Sequence, residues 1–494
     1  MKRSAGHVGI AVATAALSAC AVGPDFHAPA APQTAHYTPS PAPTTTEASP
    51  GRTGAAQTLI EDRDIQADWW TLFHNPQLDE LMRRALQDNP SVQAAQATLR
   101  NAQETWKAER GGLLLPAIDG QFQAQREREP GVLFGEPQVP AVMYNLFDAS
   151  LNVTYRLDVF GASRRQIEAL RAQSDYQRFE FEAARLTLAD NIVTTAVNIA
   201  SLHAQIEALN EIIGSERDTL KVAQRQFDAG ASSRADLLAQ QTQVAATEAQ
   251  LPPLAKQLAQ AQHRLAVLAG RTPDDASLPD FSLDTLTLPT ELPLSVPAKL
   301  VRQRPDVQAA EAQLHQSTAQ LGVATANLYP QLNLTGSIGS ETLSASELFK
   351  PGTEAWNIGG SLLQPLFHGG ELLGLKRAAR ADLDRATASY REAVLAALQD
   401  VADTLRALEA DASTLRLDTT TEANAKDTLT ITQAQYKAGG VSYLALLNAQ
   451  RQYQQAREGR VQAEAARYAD TAALYQALGG GWWNRGDGKV ARSE

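Results

Sequence analysis

Cysteine is nearly absent. Among 494 residues the only one is Cys20, so no disulfide can close within the chain. Methionine is scarce too, with three residues, and the eight histidines are scattered without a pair at metal-ligand spacing. That removes the usual zinc layouts and a Met- and His-rich lining for copper or silver. Neither His-Glu-x-x-His nor Gly-x-x-x-x-Gly-Lys occurs, and no cysteine beyond Cys20 can act as a nucleophile, so an enzyme is not expected. Basic charge is not in excess. Lys and Arg number 44 against 55 Asp and Glu, a net charge of -11 with no polybasic run, which argues against nucleic acid as a partner. After Cys20 there is no run of about 18 apolar residues, so no transmembrane helix is expected. A membrane role must come through a lipid, through strands, or through both.

What is present starts at the N-terminus. Lys2 and Arg3 precede Val8 to Ala19, a run of apolar and small residues interrupted by Thr14 and Ser18. This is a secretory signal layout over residues 1–19, too short to span a bilayer. Its end, Leu17-Ser18-Ala19-Cys20, resembles the bacterial lipobox. The resemblance implies cleavage before Cys20 and a covalent lipid on its sulfur, with no other cofactor. The alternative is an ordinary signal peptide with an incidental cysteine. Lipoproteins kept in the inner membrane usually carry Asp after the acylated cysteine, so Ala21 favours the outer membrane by analogy. Residues 20–66 read as an acylated N-terminus and extended tether, because Ala28 to Pro50 is rich in Pro, Ala and Thr. Order is expected from about Ala67-Asp68-Trp69-Trp70.

An internal repeat of roughly 210 residues organises the rest. Asn89-Pro90-Ser91-Val92-Gln93-Ala94-Ala95 matches Arg304-Pro305-Asp306-Val307-Gln308-Ala309-Ala310. A helix follows each, then a pair of alternating segments, then a very long helix rich in Ala, Gln and Leu. The long helices end at matching turns, Gln226-Phe227-Asp228-Ala229-Gly230 and Gln435-Tyr436-Lys437-Ala438-Gly439. Return helices end at Leu268-Ala269-Gly270 and Leu478-Gly479-Gly480. The first repeat is placed at 67–288, with a strand pair near 117–159 and a helix pair at 161–270. The second is placed at 289–481, with strands near 331–367 and helices at 371–479, before a polar tail at 482–494. Arg164 to Phe227 and Leu372 to Tyr436 lack proline, so each helix can reach roughly 95–100 Å at 1.5 Å per residue. Val244, Leu251, Leu254, Leu258, Leu265 and Leu268 have coiled-coil spacing. Pro252-Pro253 interrupts that pattern in the first half only, which predicts an asymmetry there. Glu180 and Glu182 read as a solvated helical face.

In Leu151 to Val159 the odd positions are apolar, while Asn152, Thr154, Arg156 and Asp158 share the other face. Gln331 to Ile338 alternates likewise. Ala117 to Arg126 and Ala355 to Phe367 are the less clear partners. Such alternation suits a membrane barrel with a wet interior, and equally a half-buried sheet of a soluble protein. Four strands cannot close a barrel, and an open edge in lipid is forbidden, so membrane strands here require an oligomer.

With these elements the chain resembles the TolC-type outer-membrane factors, in particular their lipoprotein (NodT-like) branch. The lipobox followed by Val22-Gly23-Pro24-Asp25-Phe26, the opening from Trp69-Trp70 to Asn89-Pro90, and the segment Tyr436 to Gln450 carry the resemblance. It implies an α+β fold: a homotrimer, with four membrane β-strands per subunit and long antiparallel coiled-coil helices forming a periplasmic tunnel. Its expected partners are a periplasmic adaptor, an inner-membrane efflux transporter, outer-membrane lipid and small-molecule export substrates. The strand loops, roughly Glu127 to Asn145 and Ser340 to Glu354, would lie outside the cell. The turns at Gly230 and at Gly439-Gly440 would form the periplasmic tip, where the family closes its channel. At the positions of the family's second-half acidic ring this chain has Ala445 and Asn448, and at its locking arginine Val441. Tyr436 is retained. Asp228, Arg234 and Asp236 of the first-half turn are the remaining gate candidates, with Asp236 on the family's first-half acidic position. The plainer reading is that these charges only solvate a helical tip. The rival to a channel is a lipid-anchored periplasmic coiled-coil rod, such as a pump adaptor.

Overall fold

A computed structural model describes residues 21–34, 36–40, 43–130 and 140–485. The expected signal, Cys20, the middle of the first outer loop and the last residues of the tail lie outside the described residues. The elements, in chain order, begin with β1 (Thr58–Glu61), α1 (Pro76–Asp88), α2 (Pro90–Leu114), β2 (Ala117–Glu129) and β3 (Val142–Leu157). The long helix α3 (Ala162–Asp228) then turns into α4 (Arg234–Glu248) and α5 (Leu251–Leu268). After β4 (Glu291–Leu294) and α6 (Pro297–Gln303) come α7 (Pro305–Ala326), β5 (Gln331–Thr342) and β6 (Glu354–Leu363). The second long helix, α8 (Glu371–Lys437), returns as α9 (Tyr443–Ala477). No described helix is long and apolar enough to cross a membrane.

The Asn-Pro motifs start helices. Asn75 caps α1 by accepting from the N–H groups of Gln77 and Leu78, with Pro76 at the first helical position. Asn89 does the same for α2, accepting from Ser91 N at 2.8 Å. It also donates to the Leu268 carbonyl at the end of α5, at 2.9 Å. In the second half Arg304 takes that second role, donating to the Ala477 carbonyl at the end of α9. The corresponding glycines are therefore Gly270 and Gly479, with backbone N–H bonds to Val267 and Gln476. This is one residue off the sequence pairing of Gly270 with Gly480. Helices α3 and α8 have 67 residues each. Pro252 and Pro253 fall at the start of α5, and the chain between α4 and α5 stays close to helical geometry at Ala249 and Gln250. The second half has one uninterrupted helix there, α9. The expected asymmetry is a local break.

Two compact units divide the chain, and they cut across the two halves. One holds residues 21–29, 98–177 and 309–390, and its sheet is antiparallel in the order β2-β3-β5-β6. The strands are longer than the alternation alone suggested, so β2 and β3 extend into the range read as the first outer loop. In this unit the residues that follow Cys20 are docked. Val22 N donates to the Phe160 carbonyl at 3.1 Å, and Phe26 stacks on His315 with ring centroids 4.2 Å apart. Asp25 pairs with Arg165, which also holds Glu168 at 2.7 Å.

The other unit holds residues 30–97, 178–308 and 391–485. Its core is aromatic: Trp69 stacks on Tyr475 at 5.3 Å, Phe73 lies against Tyr468, and the Tyr468 hydroxyl donates to the Leu286 carbonyl. Order here begins well before Ala67. Strand β1 pairs in parallel with β4, and fully buried Arg467 donates to the Thr53 and Ala55 carbonyls and to Gln57 Oε1. The segment is extended, as read, but it is held by backbone-directed bonds that leave no periodicity in a sequence. The start of the tail is docked too. Trp482 Nε1 donates to the Gln303 carbonyl at 2.7 Å, and Arg485 pairs with Glu182. Glu182 therefore faces a partner, not solvent, which corrects that part of the sequence reading.

Candidate channel face and helical tip

Pairing in the first unit's sheet aligns apolar with apolar and polar with polar. Leu151 lies opposite Ile338, which lies opposite Trp356; Val153 lies opposite Ile118. Residues directly opposite share a face, so these side chains form one apolar surface across all four strands. That surface is exposed: Ile338 is 64% accessible, Trp356 73% and Ile358 84%. The opposite face carries Gln121, Gln123, Asn152, Asp148, Ser337 and Asn357, linked by side-chain hydrogen bonds. Gln123 donates to Gln125 at 2.7 Å, Ser150 to Asp148 at 2.8 Å and Asn357 to Ser337 at 2.7 Å. An apolar face turned outward and a wet, hydrogen-bonded face turned inward are the two surfaces a membrane barrel strand needs. Among the described residues, strands β2 and β6 each have one unpaired edge.

The tip turns lie in the other unit and are built alike. After α3, Gly230 N bonds to the Phe227 carbonyl and Ala231 N to the Gln226 carbonyl. After α8, Gly439 N bonds to the Tyr436 carbonyl and Gly440 N to the Gln435 carbonyl. Both are Schellman ends, with Gly230 at φ +73° and Gly439 at +75°. Gly440 stands where the first turn has Ala231, and its φ is not positive. The turn therefore does not require glycine at that position.

Asp236 is held locally. Ser233 Oγ accepts from Asp236 N at 3.1 Å, and Asp236 Oδ2 accepts from Ser233 N and from Ser233 Oγ, a complete capping box. Ser442 caps α9 in the same way, but Ala445 supplies no reciprocal carboxylate. Asp228 accepts from Gln224 of its own helix at 2.8 Å. Arg234 is exposed and, among the described residues, pairs with neither aspartate. Tyr436 is buried edge-on against Tyr443, centroids 6.2 Å apart, in a cluster with Leu429, Leu446 and Leu447 that includes Val441. Burial, with nearby Asp236 adding, raises the Tyr436 hydroxyl above its ordinary pKa. The tip is apolar inside, with its charges engaged at the cap or solvated.

Sequence reasoning missed a buried polar layer behind this cluster. Glu216 of α3 is 1% exposed. Its Oε1 accepts from Gln243 Nε2 at 3.1 Å, and its carbonyl accepts from Gln240. Burial pushes the Glu216 carboxyl above the usual carboxylate range, partly opposed by bonds from Thr247 and Gln243. The available signal was the spacing Gln240, Gln243, Thr247, which places polar residues on the inward stripe of α4 beside Val244. No group of side chains suited to a metal ion occurs among the described residues.

A sheet with one apolar and one polar face, joined to helices of this length, defines an outer-membrane channel fold. The solved outer-membrane channel OprN superposes with a TM-score of 0.84 at 27% identity, covering 94% of this chain and all of that one. The family described as outer membrane efflux protein matches residues 81–271 and 296–480. The chain belongs to that family, and it works as an outer-membrane efflux channel. Among its relatives, the pyoverdine export outer membrane protein OpmQ of Pseudomonas aeruginosa is 30% identical over 421 residues, 84% of this chain and 87% of that protein. Nodulation protein T of Rhizobium leguminosarum bv. trifolii is 27% identical over 446 residues, 88% of this chain and 89% of that one.

Proposed function

We propose that this chain is one of three identical subunits of the exit duct of a tripartite efflux pump. Each subunit donates four strands to a twelve-stranded barrel in the outer membrane. A lipid on Cys20 adds an anchor, and a periplasmic adaptor joins the duct to an inner-membrane transporter that delivers small-molecule cargo. The observation that carries the reading is the sheet itself, exposed and apolar on one face, polar on the other, with free edges at β2 and β6. Each unpaired backbone group in hydrocarbon costs several kcal/mol, so the edges must be closed by further copies. The repeated order of elements after Pro90 and Pro305, and the two segments matched by the family, support duplication of an ancestral half. Relatives named for pyoverdine export and solvent efflux support small molecules as cargo.

The same reading puts the gate at the helical tip, where Tyr436, Tyr443 and the two glycine turns hold the hairpin ends. Asp228, Arg234 and Asp236 line that tip, and Asp236 repeated on a threefold axis would favour cations. Purified protein in detergent tests the whole. A heat-dissociable trimer that inserts into bilayers supports the duct, while a water-soluble monomer after removal of the lipid points to a rod. Asp236→Lys with unchanged cation preference would remove Asp236 from the gate.

A further inference from the structure

We propose that Arg126 and Arg128 form a binding site for the phosphates of lipopolysaccharide, on the lipid-facing side of β2 at the outer end of the sheet. The proposal rests on the reading that this sheet spans the outer membrane, and it names the lipid met there. The chain reads Arg126-Glu127-Arg128-Glu129, all within β2. Successive strand residues point to opposite faces, so the two signs are sorted onto different sides of the sheet. Arg126 lies opposite Asn145 and Arg128 opposite Met143, in step with Ile118 opposite Val153. Both arginines therefore share the apolar face with Ile118 and Phe122, which are 66% and 64% accessible. Glu127 and Glu129 take the polar face. There the Tyr144 hydroxyl donates to Glu127 Oε2 at 2.7 Å and lies 3.2 Å from Glu129 Oε1. Both arginines are exposed, and neither is in an ion pair among the described residues.

Depth follows from strand geometry. Helices α2 and α3 join the sheet next to Ala117 and Leu157, so the connection from β2 to β3 is at the opposite end. From Ile118 the strand rises roughly 27 Å to Arg126 and roughly 34 Å to Arg128, at about 3.4 Å per residue. At a tilt of about 40° these become roughly 21 and 26 Å along the membrane normal, against an apolar band about 25 Å tall. The arginines stand where hydrocarbon gives way to headgroups, the one depth at which charge on the lipid side of a strand costs little. The outer-leaflet glycolipid carries its phosphates at that level. A guanidinium binds phosphate through two parallel N–H···O bonds, while Ile118 and Phe122 offer apolar surface to the acyl chains. Of the acids in the four strands, only Glu354 shares this face. It lies opposite Ser340, which lies opposite Ala149 and so in line with Phe122. Its Oε2 accepts from Gly352 N at 3.0 Å. The outer rim of the lipid-facing side is thus net positive.

The test titrates full-length acylated protein in non-ionic detergent with bisphosphorylated lipid A, with the same lipid after phosphatase treatment, and with inorganic phosphate. Wild type is expected to bind the bisphosphorylated lipid on the order of tenfold more tightly than the dephosphorylated one. Inorganic phosphate should not displace it at millimolar concentration, because the acyl chains also bind. The double variant Arg126→Gln/Arg128→Gln should lose the preference for phosphate. Arg100→Gln, an exposed arginine of α2, should keep it. Glu354→Gln removes the opposing charge and should keep or strengthen it. A preference lost in Glu354→Gln would assign the arginines to Glu354 of a neighbouring copy and overturn the site. Equal binding of the two lipids by wild type overturns it too, whether or not any variant folds. Displacement by inorganic phosphate would reduce it to a site for free anions, against the proposal. Wild type that stays in water without detergent and binds neither lipid would instead overturn the membrane reading on which the site depends.

Discussion

At the scale of single residues, the tip separates positions that look equivalent. Gly230 and Gly439 have left-handed backbone and Gly440 does not. Alanine at either of the first two imposes about 1–2 kcal/mol of backbone strain. Thermal unfolding should therefore show lowered midpoints for Gly230→Ala and Gly439→Ala and none for Gly440→Ala. Asp190 offers a pH test. Burial pushes its carboxyl up to about 6. The folded protein thus binds this proton more tightly than the unfolded chain, whose value is near the ordinary ~3.9. Its stabilising contribution is fully present below about pH 4 and is lost as pH rises through about 6. Asp190→Asn should be more stable than wild type at pH 7, by at most about 3 kcal/mol, with the gap narrowing toward pH 4. Urea titrations at both pH values measure this, and a wild-type advantage at pH 7 contradicts it. The glycines' role was legible because Ala-Gly recurs at the end of both long helices, and glycine takes the left-handed backbone that ends a helix sharply. The capping box of Ser233 and Asp236 was not read from the sequence, although Ser-x-x-Asp ahead of a helix is its local signature.

Elements carry the membrane argument. Ile338 faces outward from the sheet and its neighbour Ser337 faces the polar side, bonded to Asn357. Arginine at 338 should cost about 2–4 kcal/mol per subunit near the bilayer midplane, while arginine at 337 is tolerated. The amount of heat-modifiable protein recovered from outer membranes distinguishes the two; equal recovery would argue against lipid contact at Ile338. The docked N-terminal segment gives a second test. Removing the Arg467 side chain leaves the carbonyls of Thr53 and Ala55 without their donor, a loss on the order of 3 kcal/mol. Limited proteolysis of Arg467→Ala should cut before β1 where wild type resists. Strand alternation, the 67-residue helices and the proline break were legible because period and proline act locally. The clasp on residues 53–57 was not, since its bonds go to backbone carbonyls from a residue some 400 positions later. The same holds for Glu182, whose partner Arg485 lies at the far end of the chain.

For the whole molecule, the four-stranded sheet has two free edges and an exposed apolar face that nothing among the described residues covers. In the proposed trimer, closure by two more copies and by lipid would satisfy both at once, so assembly and membrane insertion would stand or fall together. In the proposed reading Cys20 adds only an anchor, while the paired faces of the sheet and the twin hairpins make the duct. The most direct measurement is single-channel recording from purified detergent-solubilised protein whose mass and heat-dissociation have been checked in the same preparation. The account predicts a trimer that gives discrete conductance steps after insertion. A monomer that stays in water once its lipid is removed, and passes no current, would contradict it.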